Sequence, residues 1–310
     1  MIDNPSAAYG LVLHFRTPKQ TLACLQSLAG EGIGAVVLVD NSEDAGQSIQ
    51  AMQHGLACLA GAGMQVEVLQ PEYNVGFAAG VNMGLEHVSR SKGAPVLLIN
   101  SDAVLSRGAL VAMVNYLSDA ACVALSARRS SNAPCSSPIV FYQRLFALYL
   151  RKSWVGSLSY PSGCCLLIRE DQVRPDLFDK DFFFYGEDVM LGFDLARRGV
   201  SVAECMNAAV IHAGSASAKN GSMFYEYHMA RAHWLLARKL ARNRFEQTLF
   251  VTARCVTLPL RACVRSVRSR TLTPWRGLFA ATADVLRGRC RSFTPPAMQS
   301  SSDRSNAARR

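Results

Sequence analysis

Short apolar runs alternate with segments of helical spacing along the first half of the chain, and the runs end on polar residues. Tyr9 to Phe15 is mostly apolar, and Ala35 to Val39 is wholly so and leads into Asp40-Asn41-Ser42. Val66 to Leu69 is a third run, and Val96 to Ile99 leads into Asn100-Ser101-Asp102. Between the first two, Leu22, Leu25 and Leu28 recur at helical spacing. Such strands interleaved with helices predict an α/β protein with a mainly parallel sheet covered on both faces.

The second half reads less regularly. Ala121 to Ala127 predicts a further strand and residues 128–138 a polar loop. Ile139 to Leu150, apolar and aromatic, predicts a helix over the mouth of the site. Gly163 precedes a strand-like Cys164–Ile168. A helix from about Asp188 to Arg198 is closed by Gly199. Val200–Glu204 and Ala208–His212 predict two short strands, and residues 222–245 a helix that opens on aromatics.

Three features of this pattern carry candidate chemistry. In open sheets of this kind ligands bind beyond the carboxyl ends of strands, where Asp40 and Asp102 both sit. Either alone reads equally as a helix cap; two at separate strand ends favour a site. His212 also ends a strand, as a structural histidine or as a metal or diphosphate contact. Asn74-Val75-Gly76-Phe77-Ala78-Ala79-Gly80-Val81-Asn82-Met83-Gly84 sets two glycines on one helix face. That pattern means either tight helix-on-sheet packing or a backbone and an Asn82 amide close to a nucleotide.

The third feature is Leu177 to Asp188, in which Phe178, Phe182, Phe183, Phe184 and Tyr185 run into Glu187-Asp188. Aromatic side chains favour burial and carboxylates resist it. The stretch therefore reads either as core followed by a helix opening on acids, which suit its dipole, or as a general base held at the rim of a core.

Composition narrows the classes. With half of the residues hydrophobic and 18% charged, most of the chain is globular. Ten cysteines without a CxxC argue against a zinc site or a disulfide framework. Met1 to Gly10 lacks a basic start and an apolar core, and no apolar run approaches the ~20 residues that span a bilayer, so a cytoplasmic protein is expected. The net charge of +10 is uneven: residues 221–310 hold 17 Lys and Arg against 4 Asp and Glu, which leaves the first 220 residues at −3. Within that basic part Arg254, Arg261, Arg265 and Arg268 share a narrow helical sector, opposite Leu249, Val256, Leu260, Cys263 and Val267. An amphipathic basic helix of this kind, kinked or split at Pro259, predicts contact with an anionic membrane surface. Nucleic acid is not expected, because no binding motif accompanies the charge. From about residue 292 the composition predicts disorder.

Taken in order, Val39-Asp40-Asn41, the Asn74–Gly84 segment, Leu97 to Asp102, Ser162-Gly163, Phe178-Asp179 through Glu187-Asp188, and His212 resemble the family 2 inverting glycosyltransferases. The likeness is greatest to the rhamnosyltransferase-like branch that builds bacterial surface polysaccharides, and it covers about residues 9–217. It implies a GT-A catalytic domain over 1–217, a basic helical extension over 218–291 and a tail over 292–310. It also implies a nucleotide-sugar donor, with rhamnose in its dTDP form as one sugar, and a glycan or lipid-linked glycan acceptor. By motif position Asp40, Asn74, Gly76, Asn82, Asn100 and Gly163 would line the donor. Asp102 and His212 would hold a divalent metal, Mg²⁺ or Mn²⁺. Asp188 would be the catalytic base, with Glu187 orienting it or the acceptor hydroxyl. The protein would work as a peripheral enzyme at the inner face of the plasma membrane. Four departures stand out: Phe15-Arg16 where the family has Tyr-Asn, Asn100 in place of the first acid of the DxD-like motif, Met190 in place of a further acid, and Asp194 in place of an arginine. The last two, on the helix after Asp188, keep a rival in view, a catalytically silent relative that binds glycan or scaffolds an assembly.

Overall fold

A computed structural model describes residues 8–88, 94–119, 123–129, 136–172, 174, 176–212 and 221–293. The segment from 294 onward, most of the expected disordered tail, lies outside the described residues, as do 130–135 of the expected polar loop. The predicted alternation is present. β1 (Tyr9–His14), α1 (Pro18–Gly30), β2 (Ala35–Asp40), α2 (Gln47–Gly61), β3 (Gln65–Leu69), α3 (Phe77–Val88), β4 (Val96–Asn100), β5 (Ala103–Leu105), α4 (Ala109–Asp119) and β6 (Val123–Arg129) follow one another. Every residue of β2 is buried, as a strand covered on both faces requires.

One sheet of eight strands runs in the order β3-β2-β1-β4-β10-β6-β11-β5, with β10 at Cys165–Ile168 and β11 at Val202–His212. The first four are parallel; β10 runs against both its neighbours, β6 and β11 are parallel, and β5 closes the edge antiparallel to β11. The fold is thus α/β of GT-A type, a mostly parallel sheet flanked by helices and followed by C-terminal helices. Alternation in β1 shows how the two cores divide. Val12 packs with α1, α2 and α4 on one face, and Leu11 packs with α3 and α5 (Glu187–Arg198) on the other. The register brings the ends of β1, β2, β4 and β11 and the start of β10 to one edge, so Asp40, Asn100, Asp102, Gly163 and His212 share it.

Three expectations are corrected. Ile139 to Leu150 is not a helix: β7 (Ile139–Gln143) and β8 (Leu148–Leu150) form a hairpin, and with β9 (Ser157–Pro161) a small antiparallel sheet. Its turn has Ala147 at φ +59°, and the Phe146 N–H donates to Gln143 Oε1. The two short strands at 200–212 are one strand, β11, whose register shifts between Cys205 and Ala209. The helix expected over 222–245 ends sooner, as α6 (Met223–Lys239), capped by Ser222.

The helix beyond it, α7 (Arg244–Ser269), is not split at Pro259. Nor is its arginine sector turned outward. Arg254 is fully buried, and Arg265 makes a forked pair with Glu226 of α6 at 2.6–3.0 Å. The apolar sector faces solvent instead. α8 (Thr273–Leu286) packs closely enough on α6 that a Cβ on Gly277 would lie 2.6 Å from Cβ of Glu226.

Candidate active site

The aromatic stretch is built as an anchor. Phe178 and Phe182 are buried, and Lys239 ties the segment to α6 through Asp179 at 2.7 Å and Asp181 at 2.6 Å. Two consecutive left-handed residues, Tyr185 at φ +65° and Gly186 at φ +92°, then turn the chain into α5. A side chain at Gly186 would come within 2.8 Å of the Phe182 ring. Tyr185 holds a conformation that is costly for a non-glycine residue, as segments that aim a functional group often do.

The Asn74–Gly84 segment braces this anchor. Gly76, at φ +85°, lets the Phe77 N–H donate to the Phe183 carbonyl at 2.7 Å; a Cβ at Gly76 would lie 2.5 Å from that same oxygen. Asn74 Oδ1 accepts from the Gly76 N–H, and Asn41 Nδ2 donates to the Gly76 carbonyl. Asn82 donates to the Phe178 carbonyl at 2.7 Å and accepts from its N–H at 3.0 Å, clamping the anchor backbone. The Asn82 amide, expected close to a nucleotide, is thus engaged with the protein's own chain through one N–H and its oxygen. Gly80 and Gly84 serve close packing on the sheet, against Leu13 and Leu11.

The anchor delivers two acids with different surroundings. Glu187 is buried, only 7% exposed, and its Oε2 has no hydrogen-bond partner among the described residues. Burial, and after it the charge of Asp188, raises its pKa well above the ordinary carboxyl range, which favours its protonated form. Asp188 is half-buried, and its Oδ2 accepts the Gly163 N–H at 3.1 Å. The two acids thus differ in burial, and Asp188 is the one held by a backbone N–H at the sheet edge. Gly163 is required by that approach, since a Cβ there would overlap the Asp188 carboxylate. We expect Gly163→Ala to leave the melting temperature near that of the parent while displacing Asp188 and lowering turnover. Unchanged turnover would show that the Gly163–Asp188 contact has no part in the chemistry.

At the same edge His212 Nε2 lies 3.1 Å from Asp102 Oδ1, with both side chains mostly buried. This oxygen-nitrogen pair suits one small divalent cation that draws its remaining ligands from phosphate and water. Among the described residues no third His, Cys, Asp or Glu joins the pair as a metal cluster, so a bound diphosphate would have to complete the site. Asn100 Oδ1 is buried nearby in sequence without a hydrogen-bond partner among the described residues.

Asp40 is engaged by the protein as well. Its oxygens accept from the Ser42 N–H and from Gln70 Nε2, each at 3.0 Å. Arg16, at φ +52°, joins the β1 and β2 ends through Ser42. Sequence reasoning missed Gln70 altogether; its one signal is its place directly after β3, the same strand-end position that singled out Asp40 and Asp102. Of the departures, Met190 is buried among Tyr142, Phe182 and Val189, so a core side chain stands where the family has an acid. Asp194 is half-buried, and burial raises its carboxyl pKa.

No curated protein matches the chain. A solved structure, the inositol-1-phosphate CTP transferase from T. maritima, is similar at 16% identity over 73% of this chain and 96% of that one, with a TM-score of 0.44. The profile described as "Glycosyltransferase like family 2" matches residues 8–245, from the start of β1 to the start of α7. With well over half of its length under that profile, the chain belongs to the glycosyltransferase-like family 2.

Proposed function

We propose that the protein transfers a sugar from a nucleotide-sugar donor to a hydroxyl of a glycan or lipid-linked glycan, with inversion at the anomeric carbon. The observation that carries the reading is the Asp188 carboxylate fixed by Gly163 on the edge that also holds the Asp102–His212 pair. Asp188 takes the proton of the acceptor hydroxyl as its oxygen attacks the anomeric carbon. The bond from that carbon to the diphosphate oxygen breaks, and its electron pair leaves with the diphosphate. Glu187, neutral in its buried site, keeps a second negative charge away from Asp188. Mg²⁺ or Mn²⁺ held by Asp102 and His212 would offset the charge that develops on the leaving group. Rhamnose from a dTDP donor, a role in bacterial surface polysaccharide synthesis and a place at the inner face of the plasma membrane complete the proposal. Residues 1–217 form its catalytic part and 218–291 its extension.

A thermal-shift panel of nucleotide sugars with and without Mg²⁺ or Mn²⁺ tests this directly. We expect one donor to raise the melting temperature only with metal, and Asp102→Ala to remove that rise. Metal-dependent stabilisation that survives Asp102→Ala would refute the metal assignment. No response to any donor would favour the silent-relative reading, to which the core side chain at Met190 lends some support.

A further inference from the structure

The helix α7 is amphipathic with its faces reversed relative to an ordinary surface helix. Arg254 and Arg265 point into the protein, while Phe245, Leu249, Val256, Leu260, Val264 and Val267 are 44–80% exposed. A soluble domain has no reason to turn that stripe to water unless something covers it. The exposed positions 245, 249, 252, 256, 260, 263 and 267, with 248, 255 and 264 beside them, form one stripe along the helix. The stripe stays on one side of a straight helix and does not follow the 3.5-residue repeat of a left-handed coiled coil. A straight stripe about 33 Å long suits a plane.

Charge identifies the plane. The three described acids of the C-terminal helices are all engaged: Glu226 by Arg265, Glu246 by the Arg242 N–H, and Asp284 by Arg291 and Tyr227. Exposed arginines flank the stripe at 242, 244, 268, 270 and 276. A second exposed patch lies on the β7–β8 turn, which the inward face of α7 holds. Arg254 bonds to the carbonyls of Arg144 and Leu145, and the next residue, Phe146, stacks on Trp154, exposed beside Arg151, Lys152 and an 86% exposed Val155. Tryptophan with basic neighbours is the composition of a bilayer interface. Among the described residues no helix is long and apolar enough to cross a membrane.

We infer that the outward face of α7, with the Phe146–Trp154 patch, docks on the surface of an anionic lipid bilayer, its apolar stripe in the interface and its outer arginines at the phosphates. In this contact Arg254 and Arg265 hold the helix to the protein and the apolar face meets the lipid. The inference rests on the membrane location proposed above but not on the transfer chemistry, so its test omits donor and metal. The full chain is floated with vesicles of phosphatidylcholine alone or with about one third phosphatidylglycerol. We expect flotation with the anionic vesicles, and a fall of at least about tenfold in binding for V256E/L260E, the scale of losing one buried leucine. The exposed Val111→Glu on α4 serves as control and should float like the parent. If V256E/L260E melts early, V256S/L260S carries the same comparison. Absent flotation of the parent, or flotation insensitive to these variants, overturns the inference. So does a dimer in sedimentation velocity that the same variants dissolve, which would make a second copy the occupant.

Discussion

Asp188→Asn is expected to lower transfer turnover roughly 10²- to 10⁴-fold, the usual contribution of a positioned general base, while leaving metal-dependent donor binding intact. The substitution is close to isosteric. The amide oxygen can still accept the Gly163 N–H, so the turn before α5 and the anchor behind it have no cause to move. What is lost is the ability to take a proton. Glu187→Gln is the contrast. Burial favours the neutral form of Glu187, which the amide mimics, so turnover should be largely kept, and the change should appear in stability instead. Because burial raises its pKa, the folded chain holds a proton that the unfolded chain releases above its ordinary value of 4.5. The stability linked to Glu187 is complete below that value and is lost as pH rises through the folded value. The glutamine variant lacks this dependence, so its melting temperature should fall less than the parent's towards alkaline pH. Single-turnover transfer and melts across about pH 5 to 9 measure both. Turnover that persists in Asp188→Asn and collapses in Glu187→Gln would reverse the two roles.

That division of roles lay beyond the sequence, which shows two adjacent acids and no difference in their burial. Much else was legible. β2 and β4 announce themselves because a parallel strand covered on both faces needs an unbroken apolar run, and their polar ends mark the ligand edge. Ile139 to Leu150 misled because a short apolar and aromatic run fits either period; only the hairpin partners, Phe141 with Leu150 and Tyr142 with Tyr149, decide it. The engagement of Asn82 was hidden for a different reason. Its amide meets Phe178 across 96 residues of chain, and no local spacing reports such a bond. The arginine sector of α7 was legible as a sector, but not that most of it packs inward. Which side of an amphipathic helix faces out depends on what waits inside, here Glu226 and the carbonyls of the β7–β8 turn.

Those carbonyls set the second large effect, which we expect from Arg254→Ala: a loss of about 3 kcal/mol or more in stability. The guanidinium is wholly buried without a carboxylate in hydrogen-bonding range among the described residues. Its acceptors are the Leu145 and Arg144 carbonyls, each at 2.6 Å, and more weakly the His233 carbonyl and the Tyr142 hydroxyl at 3.3 Å. Removing it leaves buried acceptors unsatisfied at about 1–3 kcal/mol each and adds a cavity where the stem lay. Arg254→Met restores much of the stem and none of the donors, so it should recover only part of the loss. Exposed Arg268, on the same helix, should cost within about 0.5 kcal/mol when truncated. Urea unfolding of the three variants separates these cases, and equal losses for Arg254→Ala and Arg268→Ala would show that the buried guanidinium does not anchor α7. The same variant ties the extension to catalysis. Tyr142 packs in one cluster with Val189 and Met190 of α5, the helix that presents Asp188. Loosening α7 from the hairpin should therefore lower turnover well below the melting transition, though less than Asp188→Asn does. Full turnover in a destabilised Arg254→Ala protein would mean that the C-terminal helices support location and not the site.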